Sequence, residues 1–289
     1  MPPSGAWNDR PVIATPLSRR GLLLAAGATA LVGCSGATIP RVTVSPTGSI
    51  RDQLRAVMER VSTGTDKLGV AVKDLRSGAT YDFRGDYASQ LASAAKPMIV
   101  AMALRKAGAD ALPQPQADQA ARAIEHSDND SADALFEWAG RRPAFDALAK
   151  DLGLAQTHSD PAKDFWSWCW TTPKDQLSFV EQLLTGSKAL TAGQRAYVLD
   201  LMGKVEADQA WGVGKPRSAE VAVQLKNGWV PFQSTDNLWA VNSIGHVEGA
   251  GRNYLLTIMT RTADFDTGRE LTSEIGTWVF NVLGSGTLT

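Results

Sequence analysis

Three short stretches of this chain carry hydroxyls, amines and an amide at spacings that could do chemistry. Ser93-Ala-Ala-Lys96 sets an amine one helical turn after a hydroxyl. An amine of lowered pKa beside a serine is one way to make that hydroxyl a nucleophile. Alone the pattern is weak, because Ser-x-x-Lys arises about once by chance in a chain of this length. Ser127-Asp128-Asn129 stands just before a helical pattern and reads equally as a capping turn. It does not open a calcium loop, since Asp133 occupies the place where such a loop needs glycine. Lys226-Asn227-Gly228 brings a second cation, and its Asn-Gly pair is also a hairpin-turn signal.

The elements around them give these residues places. Residues 98 to 104, Met-Ile-Val-Ala-Met-Ala-Leu, offer no polar face, so the helix they predict is buried on every side. Pro97 is tolerated only in a first helical turn, which puts Ser93 at the helix N-terminus and Lys96 within the opening turn. A lysine there either snorkels outward or loses proton affinity to desolvation. The helix N-terminus would also favour negative charge developing beside it.

Further out, "SIRDQLRAVMERVS" places Ile50, Leu54, Val57, Met58 and Val61 on one helical face behind Ser49 as N-cap. "LGVAVKDLRSGATYDFRG" reads as a hairpin around Arg76-Ser77-Gly78. "VAVQLKNGW", "LWAVNSIGHV" and "YLLTIMTRT" read as strands, and "ELTSEIGTWVFNVL" as a closing helix. Strands at both ends and helices between predict an α+β fold. One antiparallel sheet is flanked by the terminal helices, with a helical subdomain inserted.

The 289 residues are 44% hydrophobic and 20% charged, enough to bury a sizeable core. With 29 Lys and Arg against 30 Asp and Glu, no basic excess points to nucleic acid. The first 34 residues read as an export signal. Arg19 and Arg20 precede an apolar run to Gly33 that is too short for a span of about 20 residues. The paired arginines resemble a twin-arginine signal, and Leu31-Val32-Gly33-Cys34 resembles a lipobox, which implies lipidation of Cys34. A plain secretory signal is the alternative. Residues 35–48 read as a tether and 49–289 as the catalytic domain. Cys169, among the tryptophans of "FWSWCW", reads as a small buried hydrophobe.

Taken in order, Ser-x-x-Lys, Ser-Asp-Asn and Lys-Asn-Gly resemble the motif set of class A β-lactamase-like serine hydrolases, within the serine β-lactamase and penicillin-binding protein superfamily. The hairpin, the helices of "TTPKDQLSFVEQLLTG" and "LTAGQRAYVLDLM", and "NYLLTIMTRT" add to the likeness. It implies a β-lactamase/transpeptidase-like fold. Ser93 would be the acylated nucleophile, Lys96 its general base or proton relay, and Ser127 the carrier of a proton to the leaving nitrogen. Asn129 would bind the substrate amide and Lys226 its carboxylate, with Asn227, Gly228 and Trp229 lining the binding edge. The oxyanion hole would be the N–H groups of Ser93 and Trp229.

Three departures qualify this. The loop "AQTHSDPAKDFWSWCWTTP" lacks the glutamate with which the family deacylates, leaving Asp160 and Asp164 as its only carboxylates. Ser93 and Ser127 are 34 positions apart, shorter than the family's usual spacing, which implies a more open cleft. Asn227 stands where the family has Thr or Ser, changing the donor pattern. His126 and His246 read as orienting or core histidines. Trp166, Trp168 and Trp170 alternate as on a strand or extended loop, either filling core or lining a cleft.

The expectation is therefore an exported, lipid-anchored, monomeric serine hydrolase on the extracytoplasmic face of the membrane. It would act on a β-lactam or related amide and needs no metal or organic cofactor. Alternatives are a D-alanyl peptidase or amidase on cell-wall peptide, and a non-catalytic binding lipoprotein of the same fold.

Overall fold

The computed structural model describes residues 48–65, 67–232 and 237–289. The chain divides into the units Met1–Thr43 and Val44–Thr289, and every described residue belongs to the second. The paired arginines, Cys34 and the tether as far as residue 47 lie outside the described residues.

Helix α1, Ile50–Val61, starts from a capping box in which Ser49 and Asp52 each satisfy the other's backbone N–H. It buries Ile50, Leu54, Val57 and Met58, the face its spacing predicts. The hairpin follows as β1, Leu68–Asp74, and β2, Thr80–Phe83. Late in the chain come β5, Val221–Phe232, β6, Leu238–Gly249, and β7, Arg252–Thr262. Their order in the sheet is β2-β1-β7-β6-β5, with every neighbouring pair antiparallel. N- and C-terminal parts of the chain thus meet at the β1–β7 pair, and β5 forms one edge.

Register decides which side chains each face presents, because side chains alternate along a strand. Thr257, opposite Ile244, donates to the carbonyl of Pro173, the first residue of α6, Pro173–Thr185. Val241, opposite Thr260 and so on the other face, lies under Gly268 of α8, Phe265–Gly284. Helices α6 and α8 therefore cover opposite faces of the sheet.

The inserted helices are α2, Lys96–Ala107; α3, Gln116–Glu125; α4, Asn129–Ala139; α5, Arg141–Asp151; and, after α6, α7, Ala192–Gly203. Helix α2 is buried continuously from Lys96 to Leu104, as its all-apolar composition requires. A 3-10 turn, Ala92–Ala95, leads straight into it, with Pro97 in its first turn. Just upstream, β3, Ser89–Gln90, pairs with β4, Trp170–Thr171. Asn242 of β6 donates to the Gln90 carbonyl at 2.6 Å, tying this small sheet to the large one.

Lys226-Asn227-Gly228 lies in the middle of β5, the strand that "VAVQLKNGW" predicts, and its Asn-Gly pair makes no hairpin turn. The alternating tryptophans do not share a strand, since Trp166–Trp168 is a 3-10 turn and only Trp170 enters β4.

Candidate active site

Ser93 sits in the 3-10 turn that opens α2, and its carbonyl accepts the Lys96 N–H. Ala92 just before it has φ of 48°, in the left-handed region that non-glycine residues avoid. Strain of this kind persists only where surrounding contacts hold it. Here β5 presses against the turn. A Cβ on Gly228 would stand 2.4 Å from the Ala94 nitrogen and 2.5 Å from the Leu91 carbonyl oxygen, so only glycine allows the approach. Ser93 itself is half-buried, and its hydroxyl makes no hydrogen bond among the described residues.

Lys96, one turn on, is fully buried. Its Nζ donates to the Ser127 carbonyl at 2.6 Å, to Asn129 Oδ1 at 2.9 Å and to Ser127 Oγ at 3.2 Å. An ammonium has three N–H donors and no acceptor, so these contacts use all of them. Burial nevertheless pushes its pKa down to about 7, against the opposing charges of Asp128 and Asp133. When the proton leaves, one contact must reverse. Ser127 Oγ, the longest, can do so, because a hydroxyl also donates.

Lys226 comes from β5 and is likewise fully buried. It donates to Ser127 Oγ at 2.9 Å, so that one hydroxyl bridges the two lysines. Burial first, then the charge of Lys96, lowers its proton affinity well below an ordinary lysine's. Ser127 holds φ of 58°, and Asp128 then caps α4 by accepting the Ser131 N–H at 2.8 Å. The capping reading of Ser127-Asp128-Asn129 is thus realised, and the same turn sets Ser127 and Asn129 against Lys96. Asn129 is exposed, with its Oδ1 on Lys96 and its Nδ2 unbonded among the described residues.

Ser93, Lys96, Ser127, Asn129, Lys226 and Gly228 therefore converge. Asn227 does not. It pairs with Ser243, on the face that α8 covers, and its fully buried amide donates to the carbonyls of Gln209 at 2.7 Å and Trp211 at 3.2 Å. Alternation along β5 turns it away from Lys226, which overturns its expected place among the substrate contacts. The Trp229 side chain follows Asn227 to that face. Its ring packs 5.0 Å from Phe265 and 6.0 Å from Trp211, leaving only its backbone for the cleft.

The two candidate deacylating carboxylates are also elsewhere. Asp164 is ion-paired with Arg141 and Arg142. Asp160 accepts from the Ala162 N–H at 2.8 Å and from Trp170 Nε1 at 3.3 Å. None of these partners belongs to the lysine cluster. What lies against Lys96 is Trp166, whose ring centroid is 4.9 Å from Nζ and whose Nε1 donates to Asp133 Oδ1 at 2.5 Å. Asp133 was not among the residues singled out for the site. The usable signal was its position four residues after Asn129, on the same helix face.

The remaining candidates are structural. His126 pairs with Glu206, and His246 is buried between Gln224 and Asn253. Cys169 is buried, which pushes its thiol pKa up and leaves it inert.

A family model described as the beta-lactamase enzyme family matches residues 114–283, more than half of the chain. No protein of curated function matches the chain in sequence. Among solved structures, a beta-lactamase from Xanthomonas campestris pv. campestris is 21% identical with a TM-score of 0.68, over 82% of this chain and 99% of that one. A class A beta-lactamase from Bacteroides cellulosilyticus is 16% identical with a TM-score of 0.67, over 82% and 99%. A class A beta-lactamase titled as that of the last common ancestor of Gram-negative bacteria is 21% identical with a TM-score of 0.64, over 82% and 100%. At these identities the likeness establishes the fold, an α+β arrangement of helices about an antiparallel sheet.

The buried amine has a measurable consequence for stability. Lys96 loses its proton at about 7 in the folded chain, whereas an unfolded lysine keeps it to about 10.4. Between these pH values the unfolded chain binds more protons, so stability rises with pH. The penalty is full below about 7 and absent above the unfolded value, with a slope of at most about 1.4 kcal/mol per pH unit. Urea unfolding of the parent should therefore gain stability between pH 7 and 10 more steeply than that of Lys96→Met. Parallel curves for the two proteins would contradict a depressed Lys96.

Proposed function

Because the chain belongs to the beta-lactamase enzyme family, we propose that this serine hydrolase is exported and acylates Ser93 with a β-lactam or a related amide. The observation that carries the reading is Ser127 Oγ held between Lys96 Nζ and Lys226 Nζ beside the Ser93 turn.

In this scheme neutral Lys96 takes the Ser93 proton as Oγ bonds to the substrate carbonyl carbon. The resulting oxyanion meets the N–H groups of Ser93 and Trp229. The C–N bond then breaks, the leaving nitrogen takes a proton from Ser127, and Ser127 recovers one from Lys96. An acyl-Ser93 ester remains. Asn129 Nδ2 holds the substrate amide in this scheme, and Lys226 supplies positive potential for its carboxylate. With Asn227 committed to backbone carbonyls, that carboxylate depends on Lys226 more than the family pattern implies.

Releasing the acyl group needs a base for water. Asp160 and Asp164 are engaged elsewhere, which favours a long-lived acyl-enzyme. The missing family glutamate also favours the second reading, a D-alanyl peptidase or amidase on cell-wall peptide, in which acyl-Ser93 still passes to water and the Ser93 hydroxyl is restored. Attachment by lipid on Cys34, placing the enzyme outside the cell membrane, rests on the leader and lipobox pattern.

Intact-mass spectrometry tests both halves. The domain from residue 49, mixed with a penicillin, should gain one drug mass that persists, while Ser93→Ala gains none. Rapid loss of the drug without an adduct would mean efficient hydrolysis, and neither adduct nor loss would reject β-lactams as ligands. The full-length chain extracted from producing membranes should begin at Cys34 with a diacylglyceryl mass on it. An unmodified mature chain in the soluble fraction would reject the anchor.

A further inference from the structure

Trp166 is almost wholly buried, at 6% exposure, directly after the exposed run from Pro161 to Phe165. Its turn is anchored to the segment that leads to Ser93. The Leu91 N–H donates to the Cys169 carbonyl at 2.8 Å, and Gln90 pairs with Trp170. The indole N–H donates to Asp133, and the ring stands over Lys96 Nζ at 4.9 Å. Helix α4 thus makes two contacts one turn apart: Asn129 holds the amine, and Asp133 holds the ring that covers it.

Resting on the acyl-serine reading above, we propose that Trp166, held by Asp133, is a positioning residue. It shields the Lys96 amine from water and keeps water from an acylated Ser93. Where the family places a glutamate that activates water, this chain would place an indole that excludes it.

Two effects of the ring on Lys96 oppose each other. Its π face favours the ammonium, while the water it displaces disfavours it. Burial as a whole is the leading cause of the Lys96 pKa of about 7, and in this proposal the ring's share of that burial outweighs its π attraction. The charged groups facing the amine are Asp128 and Asp133 on α4 and Lys226 on β5. Trp166 brings no net charge, so removing it alters solvation, removes the π attraction and leaves Asp133 without its indole donor, the last of which adds to a rise of the Lys96 pKa. Removing the Asp133 charge alters electrostatics and leaves the ring in place, because an asparagine oxygen still accepts the indole N–H.

These two changes must therefore move Lys96 in opposite directions, which simple loosening of the site would not do. Lysine Cε signals of 13C-labelled protein are titrated by NMR, with Lys96 assigned from its absence in Lys96→Met. Trp166→Ala should raise the Lys96 midpoint by a pH unit or more, Asp133→Asn should lower it, and Trp166→Phe, which keeps a ring but loses the bond to Asp133, should raise it by less than Trp166→Ala does. If the alanine variant does not fold, Trp166→Leu is read in its place, with a smaller rise.

The penicillin adduct provides the second readout. Its lifetime should fall at least tenfold in Trp166→Ala and by less in Trp166→Phe. An unmoved midpoint in Trp166→Ala, a rise in both Trp166→Ala and Asp133→Asn, or an unchanged adduct lifetime in Trp166→Ala would overturn the proposal. If the parent forms no adduct, the β-lactam reading fails, and the lysine titration still decides whether Trp166 governs Lys96.

Discussion

A lysine amine with no contact with water is the constraint on which the rest of this structure depends. Removing an ammonium from water costs several kcal/mol unless partners replace the lost hydration. At Lys96 those partners are three oxygens, from Ser127 and Asn129. To bring them there, the chain turns at Ser127 with positive φ and starts α4 immediately afterwards. Helix α2 can carry the lysine inward only because its neighbours bury it on all sides. The wholly apolar run after Pro97 and the buried amine before it are two aspects of one arrangement.

The second lysine extends that arrangement to the sheet. Lys226 reaches Ser127 from β5, and Gly228 brings the same strand against the Ser93 turn. Like charges in one pocket disfavour each other's ionised form. The shared Ser127 hydroxyl can accept from one amine and donate to the other, giving a proton a short route between nucleophile side and leaving-group side. No histidine is needed for this, which is consistent with His126 and His246 lying in pairs of their own.

Much of this was legible in the sequence, and the reasons for success and failure are local and non-local respectively. The Ser-x-x-Lys spacing, Pro97 and the apolar run after it specify a buried helix start through short-range rules, and the structure realises it. The face of α1 and the hairpin at Arg76-Ser77-Gly78 were equally readable. Asn227 was misplaced because its orientation depends on the face that Lys226 must occupy, and motif adjacency hid the alternation that separates them. Asp160 and Asp164 were considered because they share a loop with the expected base, yet their partners Arg141, Arg142 and Trp170 are set by tertiary packing. Trp166 was visible only as one of three tryptophans. Its position on Lys96 depends on the β3–β4 pairing, which no periodicity in so short a segment announces.

Under the proposed function, these features would take up an acyl group at Ser93 and leave Asp160 and Asp164, engaged with other partners, unable to serve as the base for its hydrolysis. The central claim is that a neutral Lys96 activates Ser93 near neutral pH, and the most direct measurement is the rate of Ser93 acylation by a penicillin across pH 5 to 10. The account predicts a rate that climbs with pH through a midpoint near the Lys96 value of about 7 and then levels off. A rate independent of pH, or one still climbing above pH 9 as for an ordinary lysine, would contradict it.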